Sequence, residues 1–205
     1  MVLIPMDAEG VTRTALDRKQ GWWCSDTATI YFDNVRVPVG NLIGAENQGF
    51  QVIMSNFNSE RMMLAVGMEA SARVCLEEAV AWAGQRRTFG KPLSGHQSWR
   101  MHLAQATTDL AAAQALVAQA VEVVDRGCDA QLLAAEAKVH AVDTCQRHLP
   151  ILLHAMGAEG LRAEYCVARH LAAAQVAALT DGSTAMLLER VARLSLRQVR
   201  PEPKQ

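Results

Sequence analysis

The sequence has almost no net charge, a formal −1 at pH 7, and it lacks any arrangement of cysteines typical of a cross-linked or metal-bound protein. Its 20 lysines and arginines almost balance 21 aspartates and glutamates among 205 residues, so no broad field attracts nucleic acid or an anionic membrane. The five cysteines are odd in number and form no close pair, which indicates reduced thiols and no disulfide framework. Neither cysteines nor histidines show zinc-ligand spacing, so we expect no metal.

Long apolar runs are also missing. No stretch reaches the roughly 18 apolar residues that a membrane-spanning helix needs. The first 20 residues lack the basic start and apolar stretch of a secretion signal. We therefore expect a soluble, cytoplasmic protein with no membrane or nucleic-acid partner. Half of the chain is nevertheless hydrophobic, enough to build a substantial core.

Residues 1–46 combine β-forming stretches with turn residues. The stretches VLIPM, TATIYF and VRVPVGNLIG predict two or three strands. So few strands do not fold stably without a further partner. We interpret this part as the remnant of a β domain whose remaining strands are supplied from elsewhere.

Residues 47–198 carry apolar side chains at the three- and four-residue spacing typical of amphipathic helices. One stripe runs from Ile53 to Trp82 and a second from Trp99 to Val124, followed by helical segments at 130–156 and 183–198 and a weaker one at 163–178. Alanine-rich stripes allow helices to approach closely. We predict a mainly α fold, an antiparallel, up-down four-helix bundle preceded by a partial β domain, with 199–205 as a tail.

The segment RRTFGKPLSGHQ, residues 86–97, separates the first two helices. Gly90 and Pro92 are explained by the turn alone, but its other residues permit two interpretations. In a structural one, the arginines complement the end of a helix and Phe89 packs into the bundle. In a functional one, a guanidinium, a hydroxyl and an aromatic ring form an anion-binding site for a pyrophosphate and its ring system. Local chemistry leaves both open.

The same segment resembles the Arg-x-x-Phe-Gly-Lys-x-x-x-x-x-Gln pattern of the acyl-CoA dehydrogenase family. Further stretches follow in the family's order, from GWWCSDTATIYFDNVRVPVG upstream to AEAKVHA, HAMGAEGLRAEYCVAR and LTDGSTAMLLERVA downstream. The resemblance extends over about residues 1–198. It implies a flavoprotein oxidoreductase of fatty acid metabolism that uses FAD to convert an acyl-CoA into a trans-2-enoyl-CoA.

The resemblance also implies partners and site residues. Family members associate through the helical domain as homodimers or tetramers, and an electron-transfer flavoprotein is a further partner. The residues expected to contact FAD, held mainly by a neighbouring subunit, are Arg86, Thr88, Phe89, Gln97, His154, Gly157, Gly160, Ser183 and Thr184. The residues expected along the substrate channel are Phe57, Asn58, Arg61 and Gly182.

Two carboxylates are candidates for the catalytic base that removes the α proton. By resemblance, Glu60 in NSERMM occupies the position used by one subclass, and Asp181 in TDGST occupies the position used by many other members. We prefer Glu60 because a glutamate reaches further than an aspartate. The ordinary alternatives are a surface ion pair for Glu60 and an N-cap of the last helix for Asp181.

Compared with the family, the chain corresponds to about the last half of a member. Three interpretations follow: a fragment of a longer reading frame, a subunit whose N-terminal half is a second chain, or a catalytically inactive relative. The inactive relative would serve as a structural or interaction partner in a heteromer. Flavin content distinguishes this last alternative from an enzyme.

Overall fold

A computed structural model describes residues 1–199. Residues 200–205, most of the predicted tail, lie outside the described part. The chain divides into two compact units, the first comprising Met1–Phe57 and the second beginning at Asn58.

The first unit contains a two-stranded antiparallel ribbon. Strand β1, Val11–Ala15, pairs with β2, Ala28–Phe32, with Val11 opposite Phe32. Nearly every side chain of the ribbon is exposed, including Tyr31 and Phe32 at 55% and 56%. The ribbon therefore has little core of its own, as expected for strands without a covering layer.

Five α-helices lie within residues 1–199. They are α1 Gly49–Gln85, α2 Gln97–Asp125, α3 Gln131–Met156, α4 Val167–Ala177 and α5 Thr184–Val199. The predicted fold class, mainly helical with a small sheet, is confirmed. The weaker segment of the sequence forms a helix of its own, α4. None of the helices in this part of the chain is long and apolar enough to cross a membrane.

The core of the second unit consists largely of the predicted alanine stripes. Helix α3 packs against α2, α4 and α5 and holds the fully buried Val142 and Leu149. Fully or almost fully buried alanines line the facing helices: Ala65, Ala72, Ala79, Ala113, Ala120, Ala137, Ala141, Ala174 and Ala177. Small side chains let the helix backbones approach closely, which is why this core needs few aromatic residues.

Candidate functional site

The segment between α1 and α2 forms a tight β-hairpin. Strands β3, Arg87–Thr88, and β4, Lys91–Pro92, are joined by Phe89 and Gly90. Both turn residues have positive φ, 48° for Phe89 and 80° for Gly90, the backbone pattern of a type I′ turn. A bulky residue with positive φ is strained by about 1–3 kcal/mol.

The Phe89 side chain is 98% exposed. The structural interpretation in which this ring packs into the bundle is therefore wrong. An aromatic ring held in a strained turn and projected into solvent is typical of a binding surface.

The two arginines beside Phe89 differ in their surroundings. Arg87 Nη2 donates a hydrogen bond to the carbonyl of Gly90, 2.9 Å away, and so closes the hairpin. Arg86 follows the last residue of α1 and is exposed. Within the described residues its guanidinium has no comparable hydrogen bond, so it is available for an anion.

His96 completes this cluster and was missed by the sequence analysis. Its Nε2 lies 3.1 Å from Thr88 Oγ1, and its ring meets that of Phe89 edge to face with centroids 6.2 Å apart. Gln97, the first residue of α2, is exposed. The only sequence signal for His96 was its place immediately before Gln97 in the quoted segment.

The predicted glycine turn follows α3. Gly157 has φ 66°, and a 3-10 helix runs over Gly157–Leu161. At Gly160 a β carbon would come within 2.8 Å of Leu153 Cδ1, so a side chain there would require Leu153 to shift. His154 is exposed at the rim of a cleft of about 370 Å³ between α2 and α3, lined also by Trp99, His102, Leu103, Ile151, Leu152 and Ala155.

The loop between α4 and α5 contains Asp181. Asp181 and Gly182 have consecutive positive φ values of 51° and 97°. Ser183 Oγ accepts a hydrogen bond from the backbone N–H of Met186 at 3.4 Å, so Ser183 caps α5, which begins at Thr184. The alternative that Asp181 is the N-cap is wrong, because the capping oxygen belongs to Ser183.

Two buried cations hold the backbone of this loop. Lys138 on α3 is fully buried, and its Nζ donates to the carbonyl of Thr180 and, at 2.7 Å, to that of Gly182. Arg61 on α1 is 4% exposed, and its Nε donates to the carbonyl of Asp181 at 3.0 Å. Three consecutive carbonyls of the loop therefore each accept a charge-assisted hydrogen bond.

Burial and the neighbouring charges shift the pKa values of both cations that hold the loop, Lys138 and Arg61. Burial lowers the pKa of Lys138 to about 8, with Arg61 acting in the same direction and Asp181 opposing. Burial, and then Arg190, lower the pKa of Arg61, whereas the carboxylates of Asp181 and Glu60 raise it. The two candidate bases, one from α1 and one from the α4–α5 loop, thus both lie within electrostatic reach of Arg61.

Of the predicted substrate residues, Gly182 and Asn58 also adjoin Arg61. A β carbon on Gly182 would lie 3.5 Å from Arg61 Nη2, and Asn58 Oδ1 accepts a weak hydrogen bond from Arg61 Nη1 at 3.4 Å. Phe57 is half-buried and belongs to the first unit. Lys138 was missed as a site residue, although a lysine on the apolar stripe of α3 was visible in AEAKVHA.

A family model described as "Acyl-CoA dehydrogenase, C-terminal domain" matches residues 47–196. The chain belongs to the acyl-CoA dehydrogenase family. An acyl-CoA dehydrogenase of Alternaria alternata is 42% identical over 120 residues, 58% of this chain and 28% of that protein. An acyl-CoA dehydrogenase of Bacillus subtilis is 33% identical over 181 residues, 88% of this chain and 48% of that protein.

Solved structures agree with the sequence comparison. The structure of butyryl-CoA dehydrogenase from Megasphaera elsdenii is similar, with a TM-score of 0.88 and 30% identity, over 96% of this chain and 51% of that one. The chain thus spans about half, or less, of the length of the relatives it matches. The resemblance stated from the sequence motifs is confirmed.

Proposed function

We propose that this chain is the C-terminal part of an FAD-dependent enzyme that dehydrogenates an acyl-CoA thioester between its α and β carbons. The observation that carries the proposal is the convergence of Glu60 and Asp181 on the buried Arg61 in a chain of this family. Removal of an α proton requires a carboxylate held beside the substrate.

Glu60 is our proposed base. It lies half-buried on α1, beside Arg61 in sequence. Asp181 has a shorter side chain, and its backbone carbonyl is held by Arg61. We infer that Arg61, with Asn58 and Gly182 beside it, shapes the end of the channel that admits the acyl chain. Phe57 is proposed as a substrate residue on the resemblance alone.

The residues at the hairpin fit FAD in their chemistry. The exposed guanidinium of Arg86 suits a pyrophosphate oxygen, and the exposed ring of Phe89 suits an aromatic face. FAD, when bound, supplies the hydride acceptor. Thr88 and Gln97 provide polar contacts here, and the other residues proposed to contact FAD are His154, Gly157, Gly160, Ser183 and Thr184.

The exposure of Phe89 also supports an assembly. Because its ring projects away from its own helices, we propose that the hairpin reaches FAD held mainly by a neighbouring subunit of a homodimer or tetramer. The exposed apolar side chains of the β ribbon, Tyr31 and Phe32, support a further layer from the N-terminal half of the protein. An electron-transfer flavoprotein is the proposed acceptor of the electrons.

The experiment that tests this function uses the full chain assembled with the N-terminal half of the enzyme. We expect a yellow protein whose flavin absorbance is bleached by an acyl-CoA under anaerobic conditions. An assembled protein that holds no flavin would instead support the alternative of an inactive structural subunit in a heteromer. Light scattering on the same sample reports whether the assembly is a dimer or tetramer.

Arg86→Ala should weaken flavin binding by roughly 1.5 to 3 kcal/mol, the range for a charge-assisted hydrogen bond. Arg87→Ala is the matched control and should change flavin binding little, because Arg87 is engaged within the hairpin. Flavin retained after dialysis of the complete assembly measures both. Equal losses in the two variants, or none in either, would assign both arginines to the end of the helix.

A further inference from the structure

Three potential metal ligands, Cys75, Cys166 and His170, meet between α1 and the start of α4, and Glu78 lies against one of them. Cys75 Sγ lies 3.7 Å from Cys166 Sγ, and Cys166 Sγ lies 3.4 Å from Glu78 Oε2. The two sulfurs and a ring nitrogen of His170 all lie within 4.8 Å of one another. None of these residues takes part in the proposed dehydrogenase site.

The helices explain why these donors converge. Cys75 and Glu78 are three residues apart on α1, and Cys166 and His170 are four residues apart at the start of α4. Both spacings place side chains on the same face of a helix. Cys75 and Cys166 are buried, while Glu78 and His170 are half-buried at the edge of the contact, so an ion can enter from that edge.

The distances from Cys166 Sγ to Cys75 Sγ and to Glu78 Oε2 fit tetrahedral zinc. With zinc–sulfur bonds of about 2.3 Å and zinc–oxygen bonds of about 2.0 Å, tetrahedral angles separate two sulfurs by about 3.8 Å and a sulfur from an oxygen by about 3.5 Å. The observed separations are 3.7 Å and 3.4 Å. A disulfide would require the two sulfurs to approach to about 2.05 Å. It would also not explain why Glu78 and His170 lie beside them.

We propose that Cys75, Cys166 and His170 hold a zinc ion that ties α1 to α4, and that the Glu78 carboxylate, which lies against Cys166, turns to complete a four-coordinate site. Two thiolates and an imidazole favour zinc over magnesium or calcium, and a closed set of four protein ligands is typical of a structural zinc. On binding, the two thiols release their protons to solvent. The proposal does not depend on the dehydrogenase function.

The surroundings already suit these ligands. Glu78 accepts the backbone N–H of Cys166 with Oε1 at 3.1 Å and Oε2 at 2.9 Å. Oε1 can keep this bond while Oε2 turns to the metal, so the carboxylate is oriented in advance.

The test titrates the reduced full chain with Co²⁺ and then Zn²⁺, in a background in which the exposed Cys24 and Cys128 are replaced by serine. We expect one Co²⁺ per chain, with thiolate charge-transfer absorption and the visible bands of tetrahedral cobalt, displaced by Zn²⁺. Cys75→Ala and His170→Gln should weaken binding by roughly 100-fold or more, since even outer-shell changes cost up to about that factor.

Two matched controls should bind metal like the parent. Cys145→Ala removes a buried cysteine outside the cluster, and His102→Gln removes an exposed histidine. If circular dichroism shows that Cys75→Ala does not fold, the Co²⁺ affinities of His170→Gln and Glu78→Gln test the proposal in its place. Equal affinity in His170→Gln and the parent, or no thiolate charge-transfer absorption when Co²⁺ is added to the reduced parent, would overturn the proposal.

Discussion

Glu60→Gln should abolish bleaching of the flavin by an acyl-CoA, lowering its rate by at least the roughly 100-fold typical of the loss of a general base. The amide keeps the shape of the side chain but cannot accept the α proton. The measurement is anaerobic stopped-flow absorbance on the complete assembly. It requires that flavin binding be unchanged, which the absorbance spectrum before mixing verifies.

Asp181→Asn is the matched variant, and comparing its rate of flavin bleaching with that of Glu60→Gln shows which carboxylate is the base. We expect only a modest decrease in the rate, because the hydrogen bonds from Arg61 and Lys138 to the loop go to its backbone carbonyls and survive the substitution. The cap of α5 should also persist, since Ser183 provides it. If Asp181→Asn had the larger effect, the role of base would pass to Asp181. Unchanged bleaching in both variants would contradict the mechanism proposed for this chain.

The helices were predictable from the sequence because their signal is local. Apolar spacing alone located α2, whose predicted stripe from Trp99 to Val124 lies within Gln97–Asp125. The hairpin before it was predictable only as a turn. The positive φ of Phe89 is not a preference of phenylalanine, so no propensity rule indicates that its ring projects into solvent.

The candidate sites depend on contacts between residues distant in the sequence. Lys138 and Gly182 are joined by a hydrogen bond across the bundle, and Cys75 meets Cys166 only because α1 packs against α4. The proposed zinc site likewise joins Cys166 and His170, at the start of α4, to Cys75 on a different helix, so no ligand spacing along the sequence pointed to it. Sequence patterns along one element cannot show such pairings.

Lys138→Met should alter stability in a way that depends on pH. Methionine fills a similar volume but offers no donor to the carbonyls of the half-buried Thr180 and Gly182. Each carbonyl left without a partner costs about 1–2 kcal/mol, the lower part of the range for a buried group, because both residues are half-buried. At a pH of about 10, where the lysine is neutral in the folded state, we therefore expect the variant to have an unfolding free energy about 2–4 kcal/mol lower than the parent.

At neutral pH this difference should be smaller, because the parent then also carries the cost of a buried charge. The pKa of Lys138 is lowered to about 8 in the folded state, against about 10.4 in an unfolded chain. Between these values the unfolded state binds more protons, so the unfolding free energy contributed by Lys138 rises with pH. The difference between parent and variant should grow by about 2–3 kcal/mol from a pH of about 7 to about 10.

Chemical denaturation at the two pH values measures this difference. Lys91→Met, at an exposed lysine of the hairpin, is the control and should give a difference from the parent that does not change with pH. A pH-independent difference for Lys138→Met as well would contradict the buried position of this ammonium. A larger difference in unfolding free energy at alkaline pH would instead support the role of Lys138 in holding the Asp181 loop. It would also show that its buried charge destabilises the fold at neutral pH.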